Sequence, residues 1–155
     1  LKIVYHCYGG AHASPTAAAI HLEILAPGRR PASADFDRVP YYDRITRGEH
    51  GKLIRIGVDA WGHEIYIMGR RNSPQPVIAA IREFLRLNGE DPSQYYFVDC
   101  VQLHNLFMVA GGFSSRAMGW VRLGGPLVRF GTRLSFGTLE KIVRKTIKEV
   151  EGMTQ

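Results

Sequence analysis

The stretch that most restricts what this chain can fold into is "YHCYGGAHASPTAAAIHL", residues 5–22. A strand-like run, Lys2 to Cys7, breaks at Gly9-Gly10, and an alanine-rich helix follows Ser14 with nothing charged before Glu23. Pro15 suits the first turn of such a helix. A strand, a glycine loop and a helix in that order are the opening unit of an α/β protein.

The rest of the chain repeats that alternation. "APGRRPASADFDRVPYYDRITRGEHG" is too broken by Pro27, Pro31 and Pro40 for one regular element, and a short strand is expected near Phe36 to Val39. Two alternating apolar runs, Leu53 to Val58 and Glu64 to Met68, flank Asp59-Ala60-Trp61-Gly62 and predict a hairpin with a polar, exposed tip. Ser73 and Pro74 open a helix with Val77, Ile78, Ile81, Phe84 and Leu85 at helical spacing, and Gly89 closes it. Tyr95 to Cys100 reads as a buried strand, Leu103 to Ala110 as a helix, Leu127 to Phe130 as a strand, and Leu139 to Val150 as a closing amphipathic helix. The expected fold is a three-layer α/β/α domain with a mainly parallel sheet and a β-hairpin. A length of 155 residues with 45% hydrophobic content fits a single domain over residues 1–155.

In a parallel sheet, ligands gather where strand ends lead into helix amino-termini. Glycines let the backbone turn with its amides inward, and the unpaired N–H groups of the helix favour an anion such as phosphate. The binding residues predicted on this basis are Gly9, Gly10, Ala11, His12, Ala13 and Ser14, with the Ser14 hydroxyl added to the amides.

"CYGGAHASPTAAAI" resembles the loop of low-molecular-weight tyrosine phosphatases: Cys, five residues, Arg, Ser, Pro, then a small-residue helix. Cys7, Gly9, Ser14, Pro15, Ala17 and Ala19 carry that match. The stretch also resembles the nucleotide loop of MinD-like ATPases through Gly9, Gly10, Ser14 and Ala17 to Ala19. In both alignments the cation, Arg or Lys, falls on Ala13, so the bidentate clamp of the one and the phosphate contact of the other are missing. The phosphatase pattern also needs an Asp-Pro acid on a late loop, and the Asp-Pro here, Asp91-Pro92, directly precedes a strand. Over nearly the whole chain, "YHCYGGAHAS", "AAAIHL", "PYYD", "GHEIYIMGR" and "GGFSSR" resemble the family called domain of unknown function 3189, which implies a compact domain and assigns no chemistry.

With Ala13 in the cation's place, a charge must come from elsewhere. Arg116 in "GGFSSRAMG" is the candidate, and His12 is the local one, able to act as acid or electrostatic stabiliser. Asp99 ends its strand as a magnesium-holding carboxylate does in nucleotide-loop proteins, orienting metal or water. Asp43 and Glu64 are alternative acids, and either also reads as a plain surface charge. The predicted ligand is a phosphorylated small molecule or nucleotide, with magnesium as cofactor in the nucleotide case. The competing expectation is a non-catalytic interaction protein with a vestigial phosphate loop.

A net charge of +6 invites a nucleic-acid reading, but Arg29-Arg30, Arg70-Arg71 and the Lys141 to Lys148 group are small, separate clusters without an aromatic stripe. Cys7 and Cys100, each ending an apolar run, suit a reducing compartment, and no targeting or membrane-spanning pattern is visible, so a cytoplasmic protein is expected. His6, Cys7, His12, His21, Cys100 and His104 are metal-ligand types, but His6 and Cys7 are neighbours on a strand and must face opposite ways. No metal site is assigned.

Overall fold

The computed structural model describes residues 1–101 and 121–153, with side chains of the last helix described from Val128 onward. Among the described residues four strands form one sheet: β1 (Lys2–Cys7), β2 (Ile54–Val58), β3 (Glu64–Gly69) and β4 (Tyr95–Asp99), in the spatial order β2-β3-β1-β4. β1 runs parallel to both neighbours, pairing Cys7 with Gly69 on one side and His6 with Asp99 on the other. β2 is antiparallel to β3, with an irregularity between Arg55 and Gly57. The expected hairpin and mainly parallel sheet are therefore both present.

Alternation along β1 sorts its side chains into two cores. Ile3, Tyr5 and Cys7 face one way, toward α1 (Ala13–His21) and α3 (Val121–Met153). Val4 faces the other way, where Met68, Leu85 and Tyr95 meet Val77, Ile78 and Ile81 of α2 (Pro74–Leu87). Helices thus cover both faces, giving the three layers expected. Every residue of α1 is buried, and Ala17, Ala18 and Ala19 have no exposed surface. A helix apolar all round belongs between layers, and its methyl-sized side chains let it lie close to both β1 and α3.

Two expected strands are absent. Ser33–Arg38 is a 3-10 helix, in which the Asp35 carboxylate accepts the Ala32 amide at 2.7 Å, and Phe36 is an anchor, its ring 4.8 Å from that of Tyr42. Leu127 to Phe130 lies inside α3. Val128, Thr132, Phe136, Leu139, Val143 and Val150 are all buried at helical spacing, and the Thr132 hydroxyl back-bonds to the Val128 carbonyl at 2.9 Å. The helix read from Leu103 to Ala110, His104 and Arg116 fall outside the described residues.

The hairpin tip also differs from expectation on one side. Trp61 is exposed there, but the Asp59 carboxylate turns inward and is only 2% exposed, accepting the His21 ring at 3.1 Å and the amides of Trp61 and His63.

Candidate functional site

The site grows from the carboxyl ends of β1, β3 and β4. Connections leave β1 toward β3, then cross through α2 to β4 on the opposite side, so the chain changes direction beside β1, the kind of switch point at which such sheets take ligands. The first loop occupies that edge. Gly10 has φ +71°, and a Cβ on it would lie 2.7 Å from the Gly69 amide nitrogen. A Cβ on Gly69 would in turn sit 2.8 Å from the Gly9 carbonyl. Two glycines therefore let the loop rest directly on the end of β3.

Inside the turn stands Cys7. The Gly10 amide donates to its Sγ at 3.2 Å, and the Ser14 hydroxyl lies 3.2 Å from the same sulfur. Ser14, expected to add a hydroxyl to a ligand, is fully buried with that hydroxyl on Cys7. Ala11 and Ala13 are buried beside it. Among the described residues no hydrogen bond reaches the amides of Ala11, His12, Ala13 or Ser14. Among the described residues, four successive donors in the loop and first turn of α1 thus have no hydrogen-bond acceptor, although buried amides are normally paired.

His12 stands at the rim, 13% exposed, with Nε2 3.0 Å from the Asp43 carboxylate. The Asp43 amide donates to the Ala11 carbonyl at 2.8 Å, so one residue fixes both the loop and the imidazole. Asp43 and Tyr41 adopt left-handed backbone angles, φ 55° and 59°, as does Arg71 at 52°, whose amide donates to the Tyr8 carbonyl. Non-glycine residues in that region carry strain that persists where surrounding contacts hold it. All three flank the loop.

A second cluster stands at the carboxyl ends of β3 and β4. Arg70 follows β3, and its amide donates to the Cys7 carbonyl at 3.0 Å. Its guanidinium donates through Nη2 to both Asp99 oxygens at 3.0 Å, through Nε to His6 Nδ1 at 3.3 Å, and through Nη1 to the Arg71 carbonyl. His6 is buried on the face opposite Cys7, as alternation requires, beside the Phe97 ring. Burial pushes its pKa down to about 4; the Asp99 charge opposes that and the Arg70 charge adds to it. A neutral imidazole is what the bond needs, since Nδ1 must accept from Arg70. Asp99 also accepts the Val101 amide at 2.8 Å. Asp99 pairs with His6 across β1 and β4, and Arg70 is bonded to both.

The remaining candidates lie elsewhere. Glu64, at the opposite end of β3, is bonded to Arg55 and Tyr66. His21 is held by Tyr5 and Asp59 at the far end of α1, away from His6 and Cys7. Among the described residues, no three His, Cys, Asp or Glu side chains cluster as metal ligands. Sequence reasoning missed Arg70. Its signal was a charged residue directly after a buried parallel strand, in "GHEIYIMGRR", which is where such sheets place ligand contacts.

The loop thus carries amides without an acceptor among the described residues and a carboxylate-bonded imidazole at its rim, and a buried guanidinium stands at the end of the adjacent strand. Fold and site define an α/β protein with an open four-stranded sheet and a glycine loop at its carboxyl edge. The chain belongs to the family described as protein of unknown function DUF3189, whose model matches residues 2–148. No curated protein and no solved structure matches it. No helix among the described residues is long and apolar enough to cross a membrane.

Proposed function

We propose that the loop from Gly9 to Ser14 binds a phosphorylated small molecule or nucleotide through its backbone amides. The observation that carries this reading is the run of four amides, Ala11 to Ser14, without an acceptor among the described residues at the amino end of a buried helix. Phosphate oxygens supply the missing acceptors, and the helix dipole favours their charge. His12, bonded to Asp43 at the rim of the loop, is the group to give a proton to, or stabilise charge on, a bound phosphoryl group in this reading. Two unbridged cysteines, Cys7 and Cys100, fit a reducing cytoplasmic setting for such a ligand.

The test is a thermal-shift panel of nucleotides, sugar phosphates and inorganic phosphate with and without magnesium, followed by a sulfate- or phosphate-soaked crystal. A ligand that binds only the folded state raises the melting temperature with concentration, and the anion should lie on the Ala11 to Ser14 amides. A flat panel together with an empty loop in the soaked crystal overturns the reading and favours a non-catalytic interaction protein with a vestigial loop.

A further inference from the structure

Cys7 and Cys100 stand at the same level of the sheet. The pairing of β1 with β4 runs from Lys2 opposite Tyr95 to His6 opposite Asp99, and one step further sets Cys7 opposite Cys100. The Cys100 amide donates to the His6 carbonyl at 2.9 Å, which carries the parallel bonding pattern on to that pair. Alternation sends His6 and Asp99 to one face and both cysteines to the other, where the two share one buried core with Ala11, Ala13 and Val98. Neighbouring strands lie about 4.8 Å apart, inside the roughly 4.4–6.8 Å that separates Cα atoms across a disulfide. Both thiols are free.

The two sulfurs are differently surrounded. Cys7 Sγ accepts the Gly10 amide at 3.2 Å and lies 3.2 Å from the Ser14 hydroxyl, two donors suited to a negative charge on sulfur. Cys100 Sγ donates to the Val98 carbonyl at 3.8 Å, and burial, with Cys7 beside it as the next cause, pushes its thiol well up. Cys7 is therefore placed to attack and Cys100 to follow as a protonated neighbour.

We propose that Cys7 and Cys100 are a dithiol that hydrogen peroxide oxidises to a reversible intramolecular disulfide, with Cys7 as the attacking sulfur and Cys100 as the resolving one. The Cys7 thiolate attacks one peroxide oxygen and the O–O bond breaks. The departing hydroxide takes the proton that Cys7 gave up, leaving a sulfenic acid and water. Cys100 sulfur then attacks the sulfenic sulfur, the S–O bond breaks, and hydroxide leaves with the Cys100 proton as a second water. Two thiols are oxidised and one peroxide is reduced to two waters. Both cysteines are 5% exposed, so the oxidant has to be this small. The disulfide draws the Cys7 sulfur toward β4, away from the Gly10 amide and the Ser14 hydroxyl, and the oxidation state of the pair thereby sets the packing of the loop, whether or not that loop takes an anion.

The experiment treats the folded full chain with hydrogen peroxide, blocks the remaining thiols with an alkylating reagent and maps the peptides by mass spectrometry. The expected wild-type product is a monomer lighter by two hydrogens, in which one peptide pair joins Cys7 to Cys100 and dithiothreitol separates it. Cys100→Ser should stop at a sulfenic acid on Cys7, trapped by dimedone, whereas Cys7→Ser should be labelled at Cys100 at least about tenfold more slowly, because a thiol held protonated is a poor nucleophile. The amide resonance of Gly10 should shift on oxidation of the wild type and return on reduction. Separate oxidation of the two thiols without a linkage, or a linkage only between two chains, overturns the proposal. Equal labelling of the two variants overturns the assigned order of attack. Where a variant fails to fold, the wild-type peptide map and the Gly10 resonance decide alone.

Discussion

Gly10 and Gly69 meet backbone to backbone, so closely that a methyl group on Gly10 would lie 2.7 Å from the Gly69 amide nitrogen. This contact joins the loop after β1 to the end of β3. Gly10→Ala pays twice, for a left-handed backbone and for a clash with backbone that has no side chain to move aside. The left-handed cost alone is about 1–2 kcal/mol, and the clash should bring the total to about 3 kcal/mol. Gly62→Ala is the control, because Gly62 has φ +84° but nothing within 4 Å of its Cβ position. Urea denaturation should show Gly10→Ala losing at least twice as much stability as Gly62→Ala. Equal losses would mean that the loop does not rest on β3.

Tyr5, His21 and Asp59 form a buried polar chain on the other side of the molecule. The Tyr5 hydroxyl lies 2.7 Å from His21 Nδ1, and His21 Nε2 lies 3.1 Å from Asp59. With neutral His21, the hydroxyl donates to Nδ1 and Nε2–H donates to the carboxylate, so every group is satisfied. Asp59→Ala removes the acceptor for His21 and for two hairpin amides at once. A loss of about 2 kcal/mol is expected in denaturant unfolding, chiefly from the buried His21 donor left unpaired. A loss below about 1 kcal/mol would show that water replaces the carboxylate.

His6 and His21 give the protein an acid-sensitive core. Burial is the leading cause of a lowered pKa in each, with Asp99 and Asp59 respectively opposing it, and His6 is pushed down to about 4. Both take up protons more readily unfolded, near pH 6.5, so below that pH the unfolded state binds more protons. Stability is therefore complete above about pH 6.5 and falls as the pH drops below it, for His6 by up to about 1.4 kcal/mol per pH unit on the way to its folded value near 4. Thermal melts between pH 7.5 and 4.5 should show a falling melting temperature, and the His6 imidazole resonances should titrate below pH 5. A midpoint near 6.5 for His6 would contradict its neutral role as acceptor for Arg70.

The sheet was legible because strands and helices announce themselves by period. Tyr95 to Asp99 and the hairpin runs alternate or run apolar between clear breaks, and Val77 to Leu85 repeats at helical spacing. Gly9, Gly10 and Ser14 marked the loop for the same reason, since a glycine break between strand and helix has few other uses. The start of α3 was hidden by Gly124-Gly125-Pro126, Gly131 and Gly137, each a local breaker. Tertiary burial of Val128, Thr132 and Phe136 against α1 and the Phe36 segment outweighs those propensities. Asp59, Arg70 and the Asp43–His12 pair could not be read from spacing, because each depends on residues brought together across the sheet.

Cys7 sits at the base of the loop with the Gly10 amide and the Ser14 hydroxyl on its sulfur, an arrangement that invites a phosphatase reading. Two features argue that it does not work as one. Ala13 leaves the loop without a guanidinium of its own, and Arg70 on the neighbouring strand is bonded to Asp99. Asp91-Pro92, the one Asp-Pro step, precedes β4 and caps Ser93 there, at 2.9 Å from its amide. Because β4 runs parallel to β1, that step lies at the opposite edge of the sheet from the loop. No acid reaches a leaving group from there. Turnover of a generic aryl phosphate should stay at background in the wild type, and Cys7→Ser should keep its phosphate affinity within about threefold, since serine retains an acceptor for Gly10. Robust turnover that vanishes in Cys7→Ser would show instead that Arg70 has taken over the clamp and that another group, with His12 the nearest, protonates the leaving oxygen.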